Sequence, residues 1–301
     1  MSVTTPPLQD RDTAQGFGFA IFVYVLWGFL PLYLKLMDHI SPVEIVAHRV
    51  IWSIPIAGFV LMALGRTKEL RTALSTPSML GMACLTATLV SINWGVYVWA
   101  ITSGNAVEAA LGYYINPLFS VFLGAVLLGE RLSRAQLAAI ALAACAVCLL
   151  TWEAGTLPWA ALCLTFSWGF YAFFKKRLPI GPNQGFMLEV MILSPVALGL
   201  IGYFVMTGQS HFLSNSKDTW LLIGSGFATA VPLMLYANGA KRLRLSTIGI
   251  LQYITPTMIF LVALFVFGEE FAGARLIAFP MIWLALVIYT TSMIRQMRHD
   301  I

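Results

Sequence analysis

Long apolar stretches separated by short polar segments follow one another along the whole chain. A bilayer core about 30 Å thick takes about 20 residues of helix, so each stretch has the length of one membrane crossing. Pairs such as Ser41-Pro42 and Gly181-Pro182 lie between the stretches, where they favour turns and helix starts. The pattern predicts ten helical spans, at residues 16–37, 42–64, 78–101, 107–128, 135–152, 157–174, 184–206, 219–239, 246–267 and 276–294.

The composition excludes a soluble protein of this size. Hydrophobic residues make up 59% of the 301 residues and charged residues only 10%, whereas a soluble domain carries about 25% charged residues. The four cysteines (Cys84, Cys145, Cys148 and Cys163) lie within apolar stretches, which predicts packing residues and no disulfide framework. We expect no cofactor and no metal site, because no further ligand residues lie near the Cys145/Cys148 pair.

The positions of the basic residues predict the orientation. If the N-terminus is cytoplasmic, 14 of the 18 Lys and Arg residues fall on the cytoplasmic side and 4 on the other side. Cytoplasmic loops carry this excess in membrane proteins, so the net charge of +5 needs no nucleic-acid partner. We therefore expect cytoplasmic tails at residues 1–15 and 295–301, and no signal peptide.

The chain also resembles itself at a fixed distance. Residues 114–117 (Tyr-Ile-Asn-Pro) match residues 253–256 (Tyr-Ile-Thr-Pro) at an offset of 139 residues. Residues 27–29 and 168–170 both read Trp-Gly-Phe, at an offset of 141 residues. A duplication of five spans is the simplest account of these matches.

The predicted fold class follows from that duplication. Residues 16–152 form a first five-helix repeat and residues 157–294 a second one. Because five is odd, the second repeat enters the membrane the other way up. The sequence thus predicts an all-α membrane protein with ten transmembrane helices, built as two inverted five-helix repeats with both termini cytoplasmic. Inverted repeats are typical of secondary transporters, which bind substrate near the membrane midplane.

Several motifs resemble those of one known group of proteins: residues 48–53 (His-Arg-Val-Ile-Trp-Ser), 93–97, 111–117, 129–132 (Gly-Glu-Arg-Leu) and 251–256. With these motifs the sequence resembles the drug/metabolite transporter superfamily, in its EamA-type ten-helix branch of RarD-like and YddG-like exporters. The resemblance extends over nearly the whole chain. It implies export of small metabolites, especially amino acids, or of drug-like amphiphiles, across a bacterial inner membrane.

Aromatic and amide side chains within the spans are the candidate substrate-binding residues. Rings stack on apolar parts of a solute and amides fix its orientation, which suits a small amphipathic metabolite. Trp27 and Trp168 are central in their spans, whereas aromatics near span ends equally suit an interfacial belt. The candidates are Tyr24, Trp27, Asn93, Tyr97, Tyr113, Tyr114, Trp168, Tyr171, Tyr236, Asn238, Gln252 and Tyr253, with Trp94 beside them.

Charged residues inside the membrane form a second candidate set, since each costs about 2.5–3.5 kcal/mol at the bilayer centre. Glu44, His48 and Arg49 lie in the outer third of span 2, and Glu44 and His48 share a helix face. Two interpretations stay open for them: anchoring by snorkelling to the headgroups, or handling of substrate or protons. Glu189 either pairs with the basic segment 175–177 or acts as a gate or an ammonium contact, and it joins Glu44 and His48 as a candidate for proton handling.

Two prolines and three glutamates complete the set. Pro117 and Pro256 each free a carbonyl one turn earlier and predict either a gating hinge or plain bending. We expect structural roles for Glu108, Glu130 and Glu269, with Glu108 capping its own helix. The alanine-rich fifth span and the tenth span are expected at the periphery, where small residues favour helix packing or a dimer surface.

The function that these observations favour is a secondary transporter. It would export small amphipathic metabolites, best aromatic and other neutral amino acids, by alternating access. One alternative is a drug or xenobiotic efflux protein of the same fold, and another is a membrane sensor or assembly subunit without flux. An intramembrane enzyme would need Ser225 beside His48, which the topology places in opposite membrane halves, so we expect no enzyme. We expect a monomer or weak homodimer in the lipid bilayer.

Overall fold

The computed structural model describes residues 13–128, 133–177, 180–240 and 251–299, and in these residues all regular structure is helical. A helix lies at each of the ten predicted spans, although residues 246–250 of the ninth span fall outside the described residues. The described residues contain eleven helices: α1 (Ala14–Lys35), α2 (Pro42–Ala63), α3 (Thr67–Leu74), α4 (Pro77–Thr102), α5 (Ala106–Leu128), α6 (Arg134–Ala154), α7 (Trp159–Arg177), α8 (Pro182–Met206), α9 (Ser216–Ala240), α10 (Ile254–Phe265) and α11 (Arg275–His299).

Many of these helices are long and apolar enough to cross a bilayer. Seven in the described part of the chain meet that requirement by length and composition: α1, α2, α4, α6, α8, α9 and α11. Large apolar side chains such as Phe59, Met206 and Trp152 are exposed on the outside of the bundle. Lipid, unlike water, accepts such a surface, so the chain is a multi-pass membrane protein. The four cysteines are free, and Cys84, Cys145 and Cys148 are exposed.

Local chemistry sets where the helices begin and end. Proline occupies the first turn of α2, α4 and α8, where its fixed φ suits a helix and its missing N–H leaves no unmet donor. Helix α6 begins with a capping box in which Ser133 and Gln136 bond each other's backbone N–H groups. It ends at Gly155, whose φ of +65° is the left-handed conformation that glycine adopts without strain.

The short helix α3 was not predicted from the sequence, which indicated only a connection between spans 2 and 3. Its eight residues are too few and too polar for a membrane crossing. Leu70 and Ala73 pack against Leu188 of α8 and Ala83 of α4. This small apolar contact is what makes the segment helical.

Most of the packing is between the first half of the chain (α1–α6) and the second half (α7–α11). Helix α2 packs against α8 and α9, α1 against α9 and α10, α4 against α7 and α8, α5 against α7 and α10, and α6 against α11. The largest apolar cluster accordingly combines residues of both halves, such as Tyr97, Leu111, Ile259 and Phe279. The interior of the bundle is therefore an interface between the halves.

Carboxylates cross-link the halves at one end of the bundle, the end where α5, α7 and α11 begin. Glu269, after α10, accepts hydrogen bonds from the N–H groups of Ala106 (2.7 Å) and Val107 (2.9 Å) at the start of α5. Glu108 of α5 accepts from Ala160 N at the start of α7 (3.0 Å). Each carboxylate thus satisfies free N–H groups of a helix in the other half. We name this end the carboxylate end.

Three further contacts join the halves at the carboxylate end. Glu153, at the end of α6, accepts from the N–H of Ala274 beside the start of α11. Glu44 of α2 accepts from the N–H of His211 (2.7 Å) and lies 2.9 Å from His211 Nδ1. His39 Nε2 lies 3.1 Å from a carboxylate oxygen of Asp218 in α9. Glu108 lies in the first turn of its own helix α5, where an acid suits the helix N-terminus as expected, and its carboxylate also bonds α7. Glu130 lies outside the described residues.

Candidate functional site

A cavity of about 120 Å³ lies between the halves, lined by α1, α2, α4, α5, α7, α9, α10 and the turn before α10. No residue of α6 or α11 contributes to its lining in the described part of the chain. Ligand pockets have volumes of roughly 300–1,000 Å³, so in this conformation the cavity admits only a small solute. Seven of the twelve predicted substrate-binding residues line it: Tyr24, Trp27, Asn93, Tyr97, Tyr113, Trp168 and Gln252.

Aromatic side chains form most of the cavity wall and support one another. The ring centroids of Tyr24 and Trp27 are 5.9 Å apart, and those of Tyr97 and Tyr113 are 5.6 Å apart. Tyr236 does not line the cavity but packs behind Trp27, at 5.6 Å. These separations are those of favourable aromatic pairs, so the wall is preorganised for stacking on a solute.

Asn93 has most of its hydrogen-bonding capacity in use between helices. Its amide nitrogen donates to the carbonyl of Leu164 (3.1 Å) and to Ser167 Oγ (3.0 Å), both in α7. Its amide oxygen accepts from the Tyr113 hydroxyl of α5 (3.3 Å). The side chain therefore holds α4, α5 and α7 together at the cavity wall.

Arg49 also lines the cavity, and here the snorkelling interpretation is wrong. Only 4% of the residue is exposed, because α2 is enclosed by α4, α8 and α9. Its Nε donates to Thr229 Oγ1 (2.9 Å), and its guanidinium lies 5.3 Å from the centroid of Trp94. Ile45 and Ser53 lie one turn before and one turn after Arg49 on the same helix face, and both are buried, so this face of α2 points into the bundle.

Three polar residues that were not among the predicted substrate-binding residues also line the cavity: Asn116, Thr229 and Thr255. Asn116 and Thr255 are repeat-related positions that drew notice only as parts of a shared motif. Thr229 is an isolated polar residue in an apolar helix. The equivalence of Asn116 and Thr255 in the two repeats is the signal that would have found them.

Glu44, His48 and Glu189, the three residues predicted for proton handling, do not line the cavity, and each has a different hydrogen-bonding partner. Glu44 is bonded to His211 at the carboxylate end. His48 Nδ1 accepts from the indole N–H of Trp52 (3.2 Å), and its ring packs on Phe212 at 4.8 Å.

Glu189 is buried in α8 and accepts a hydrogen bond from the hydroxyl of Tyr171 (3.2 Å). Tyr171 in turn packs against the cavity residue Trp168, with centroids 5.5 Å apart. The side chains of the basic segment 175–177 lie outside the description, so their pairing with Glu189 stays a prediction. Proton handling by Glu44, His48 and Glu189 stays a prediction as well.

The remaining predicted residues fall in other places. Tyr114 and Tyr253 line a wide, open groove of about 500 Å³ beside α10 and α11, and the Tyr114 hydroxyl donates to Thr257 Oγ1 (2.9 Å). The groove is largely apolar and open at the side of the bundle, as expected of a lipid-facing surface. Asn238 lies in α9, but its side chain lies outside the description.

The two prolines differ in their surroundings. Pro117 lies within a continuous α5 and does not line the cavity. Pro256 lines the cavity, and the helix is broken just before it: residues 252–253 form a turn, and α10 begins at Ile254. Thr255 Oγ1 bonds the carbonyl of Tyr24 (2.9 Å), which ties this break to α1. Irregular backbone is tolerated at membrane depth where it lines a cavity.

Comparisons with known proteins give a consistent result. The model of the EamA-like transporter family matches residues 14–152 and residues 157–291. The uncharacterized transporter YojE of Bacillus subtilis is 41% identical over 97% of this chain and 98% of its own length. Protein RarD of Escherichia coli is 37% identical, with 97% and 99% covered.

A more distant relative and one solved structure extend the comparison. The chloramphenicol-sensitive protein RarD of Pseudomonas aeruginosa is 30% identical, with 92% of this chain and 94% of that protein covered. One solved protein structure is 21% identical and aligns with a TM-score of 0.59, covering 93% of this chain and 98% of its own. At that identity the solved structure is similar in fold alone.

Proposed function

The chain belongs to the EamA-like transporter family, and from this premise we propose that it exports small amphipathic metabolites by alternating access. The substrates that the cavity suits best are aromatic and other neutral amino acids, and the membrane is a bacterial inner membrane. The observation that carries the proposal is the cavity between the halves, whose wall combines aromatic rings with the amides of Asn93, Asn116 and Gln252. Such a wall stacks on an apolar side chain and orients a polar head.

Alternating access by this mechanism needs two halves that exchange their conformations, and the helix packing supports such an inverted repeat. The repeat equates α1 with α7, α2 with α8, α4 with α9, α5 with α10, and α6 with α11. If each helix is replaced by its counterpart, the contact of α1 with α9 corresponds to that of α7 with α4, and both contacts are present. In the same way the contact of α1 with α10 corresponds to that of α7 with α5, and both of these are present too. Helices α2, α5 and α6 pack directly on their own counterparts.

Two glycines support the same exchange at atomic detail. A β-carbon added at Gly28 would lie 2.6 Å from Met258 Cβ, and one added at Gly169 would lie 2.5 Å from Phe119 Cδ1. Gly28 and Gly169 are equivalent in the two repeats, and so are Met258 and Phe119. The same close helix approach between the halves therefore occurs twice, once between α1 and α10 and once between α7 and α5.

The cavity wall also reflects the repeat, because both halves contribute equivalent positions to it. Residues from equivalent positions contribute together: Trp27 with Trp168, Trp94 with Leu233, Tyr113 with Gln252, and Asn116 with Thr255. Paired contributions of this kind are expected where a binding site lies on the axis relating the repeats. The non-identical pairs make the wall unsymmetrical, as recognition of an unsymmetrical solute requires.

If the N-terminus is cytoplasmic, as the basic residues predict, the carboxylate end faces the periplasm. In that orientation the bonds across the halves would close the cavity towards the periplasm. Opening these bonds, and closing the opposite end, would release a bound solute outwards. The pairing of helix N-termini with carboxylates is suited to such a gate, because water can replace each bond when the end opens.

Flux in liposomes tests the proposal. Purified protein should move labelled phenylalanine, threonine or methionine faster than protein-free liposomes, and saturably. Inertness towards a broad panel of amino acids and aromatic drugs would contradict a transport function. Running the same assay with and without a pH gradient separates proton-coupled export from facilitated diffusion, because only coupled export accumulates substrate against its gradient.

Drug efflux is the second candidate function. The predominantly aromatic and apolar wall favours it, and one relative is named for sensitivity to chloramphenicol. The small cavity volume favours amino acids over bulkier drugs in this conformation. Chloramphenicol in the flux panel separates the two, and saturable binding without flux would identify a sensor or assembly subunit instead.

A further inference from the structure

The cavity contains one charge whose counter-charge the described residues do not supply. Among the described lining residues Arg49 is the only charged one, and no Asp or Glu contributes to the wall. Its Nη1 atom is buried and has no hydrogen-bond partner in the described part of the chain. Thr229 accepts a hydrogen bond from Nε and Trp94 packs near the guanidinium, so the protein fixes its position while Nη1 has no partner in the described residues.

The nearby carboxylates of α2 and α8 are engaged elsewhere. Glu44, five residues before Arg49 in α2, accepts from Ser210 and His211. Glu189 of α8 accepts from Tyr171. In the described residues neither forms an ion pair with Arg49, which leaves a buried positive charge uncompensated.

A buried charge without a partner is costly, and a solute carboxylate offsets that cost. Removing a guanidinium from water and leaving it unpaired carries a penalty of several kcal/mol. A carboxylate bound to it gains charge-assisted hydrogen bonds, which are stronger than neutral ones. Arginine also keeps its charge at any physiological pH, so the site is permanently cationic.

A free acceptor lies in the same wall. Asn116 is 6% exposed, and its Oδ1 atom has no hydrogen-bond partner in the described part of the chain. An ammonium group, which only donates, is the complementary partner. The aromatic faces of the wall attract a cation as well. A free donor charge and a free acceptor in one aromatic cavity together match a zwitterion.

Resting on the proposed transport function, we propose that Arg49 binds the α-carboxylate of an amino-acid substrate and that Asn116 accepts a hydrogen bond from its ammonium group. Thr229 positions the guanidinium through the bond to Nε and leaves Nη1 for the substrate. The aromatic wall then surrounds the side chain, which sets the preference for neutral amino acids. The substrate class is therefore zwitterionic α-amino acids rather than neutral amphiphiles in general.

The first test changes the ligand and leaves the protein intact. Binding to the wild-type protein in detergent is followed by quenching of tryptophan fluorescence, since Trp27, Trp94 and Trp168 line the cavity. The probes are L-phenylalanine, L-phenylalaninol, which lacks the carboxylate, and 3-phenylpropionate, which lacks the ammonium; L-alanine and L-alaninol repeat the comparison with a smaller side chain. Losing a hydrogen bond to a charged group weakens binding by about tenfold or more, so both phenylalanine analogues should bind at least that much more weakly.

The second test changes the protein. In Arg49→Met the preference for phenylalanine over phenylalaninol should disappear, and in Arg49→Lys it should be retained in part. Asn116→Leu should remove the preference for phenylalanine over 3-phenylpropionate. Arg71→Met is the matched control: Arg71 is exposed in α3 and does not line the cavity, so both preferences should remain.

The outcomes separate this inference from the proposed function. If the wild-type protein neither binds nor transports any probe of either side-chain size, the proposed function fails. If phenylalanine is transported but phenylalaninol binds equally well, the role of Arg49 fails while the transport function stands. Should Arg49→Met not fold, the comparison of ligands in the wild-type protein decides alone.

Discussion

At the scale of single residues, the polar side chains of the cavity wall differ in how much of their bonding capacity the protein uses. Asn93 bonds to both α5 and α7. Arg49 and Asn116 each keep a buried polar atom without a partner in the described residues. Because unmet polar atoms are expensive in a membrane interior, bonded groups such as Asn93 hold helices together, and the unbonded ones are the candidates for contact with a solute.

Sequence reasoning found the aromatic wall but left open whether Arg49 lies at the headgroups or at the substrate site. Trp27 and Trp168 were identifiable because they are central in their spans and match each other in the repeat. Arg49 is the eighth residue of its span, which suggested a position near the headgroups. Only the packing of α2 among three other helices shows that its guanidinium points inward, and a one-dimensional pattern does not contain that enclosure.

The two tryptophans give a direct test of the wall. Trp27→Ala and Trp168→Ala should each lower the transport efficiency (kcat/KM) for phenylalanine about tenfold, because an aromatic contact is worth about 1.5 kcal/mol. Trp152→Ala is the control: Trp152 is 88% exposed on the outside of the bundle, and its loss should leave flux unchanged. Equal flux in all three variants would show that the substrate does not pass this wall.

Glu44 separates a structural role from a proton-handling role. Glu44→Gln removes the negative charge and one of the two acceptor oxygens that bond Ser210 and His211. Charge-assisted bonds contribute about 1.5–3 kcal/mol each, so we expect a clearly lower midpoint of thermal unfolding in detergent. Asp38→Asn, which disrupts exposed pairs with Lys35 and His39, should cost less than about 1 kcal/mol.

The same two variants are then measured for flux driven by a pH gradient, per folded molecule. A purely structural Glu44 leaves the response to the gradient as in Asp38→Asn. Loss of that response in Glu44→Gln alone would assign it to proton handling.

At the scale of helices, the sequence predicted positions well and irregularities poorly. Proline at helix starts and glycine at helix ends act locally, so the spans agree with the helices to within a few residues at nearly every end. Helix α3 forms because two of its residues meet α8 and α4, and the break at residues 252–253 lines the cavity. Both features depend on contacts between segments distant in sequence, which local chemistry does not specify.

Helix packing at the repeated Trp-Gly-Phe motif is open to a matched test within α1. Gly28→Ala would push a β-carbon against Met258 of α10, and overpacking of this kind costs about 1–3 kcal/mol of unfolding free energy. Gly18→Ala, in the same helix with open space around it, should be neutral or slightly stabilising because alanine favours helix by about 1 kcal/mol.

Thermal unfolding of both variants in detergent measures the difference. Equal midpoints for Gly28→Ala and Gly18→Ala would contradict the close approach of α1 to α10. Gly169→Ala, the equivalent change in α7, should behave as Gly28→Ala does if the two halves pack alike.

At the scale of the whole molecule, polar side chains join the two halves at the carboxylate end. Five acidic residues and two histidines connect the halves at the carboxylate end. None of these residues lines the cavity. They are therefore placed to set whether this end is open or closed without contacting the substrate, which is the property of a gate.

Glu269 is the part of this gate that can be changed with the cleanest control. Glu269→Ala leaves the N–H groups of Ala106 and Val107 without acceptors while the end is closed, and water supplies acceptors when it opens, so the open fraction should rise. Glu270→Ala removes the neighbouring exposed acid and should leave the equilibrium unchanged. Distances between spin labels at Ser103 and Ser214, exposed positions of the two halves, report opening in a background without the four native cysteines.

The pH dependence of the same distances tests independently whether protonation of Glu269 favours the closed or the open end. Burial raises the pKa of Glu269 in the closed end, outweighing the two backbone donors and the charges of Arg275 and Lys35, which lower it. Opening returns the carboxyl to water and to its ordinary pKa, so the closed end binds the proton more tightly and acid favours closure. The open fraction of the wild-type protein should therefore increase as the pH rises through the raised pKa, and this dependence should be reduced in Glu269→Ala but kept in Glu270→Ala. Opening that instead increases on acidification would show that another group at the carboxylate end controls the gate.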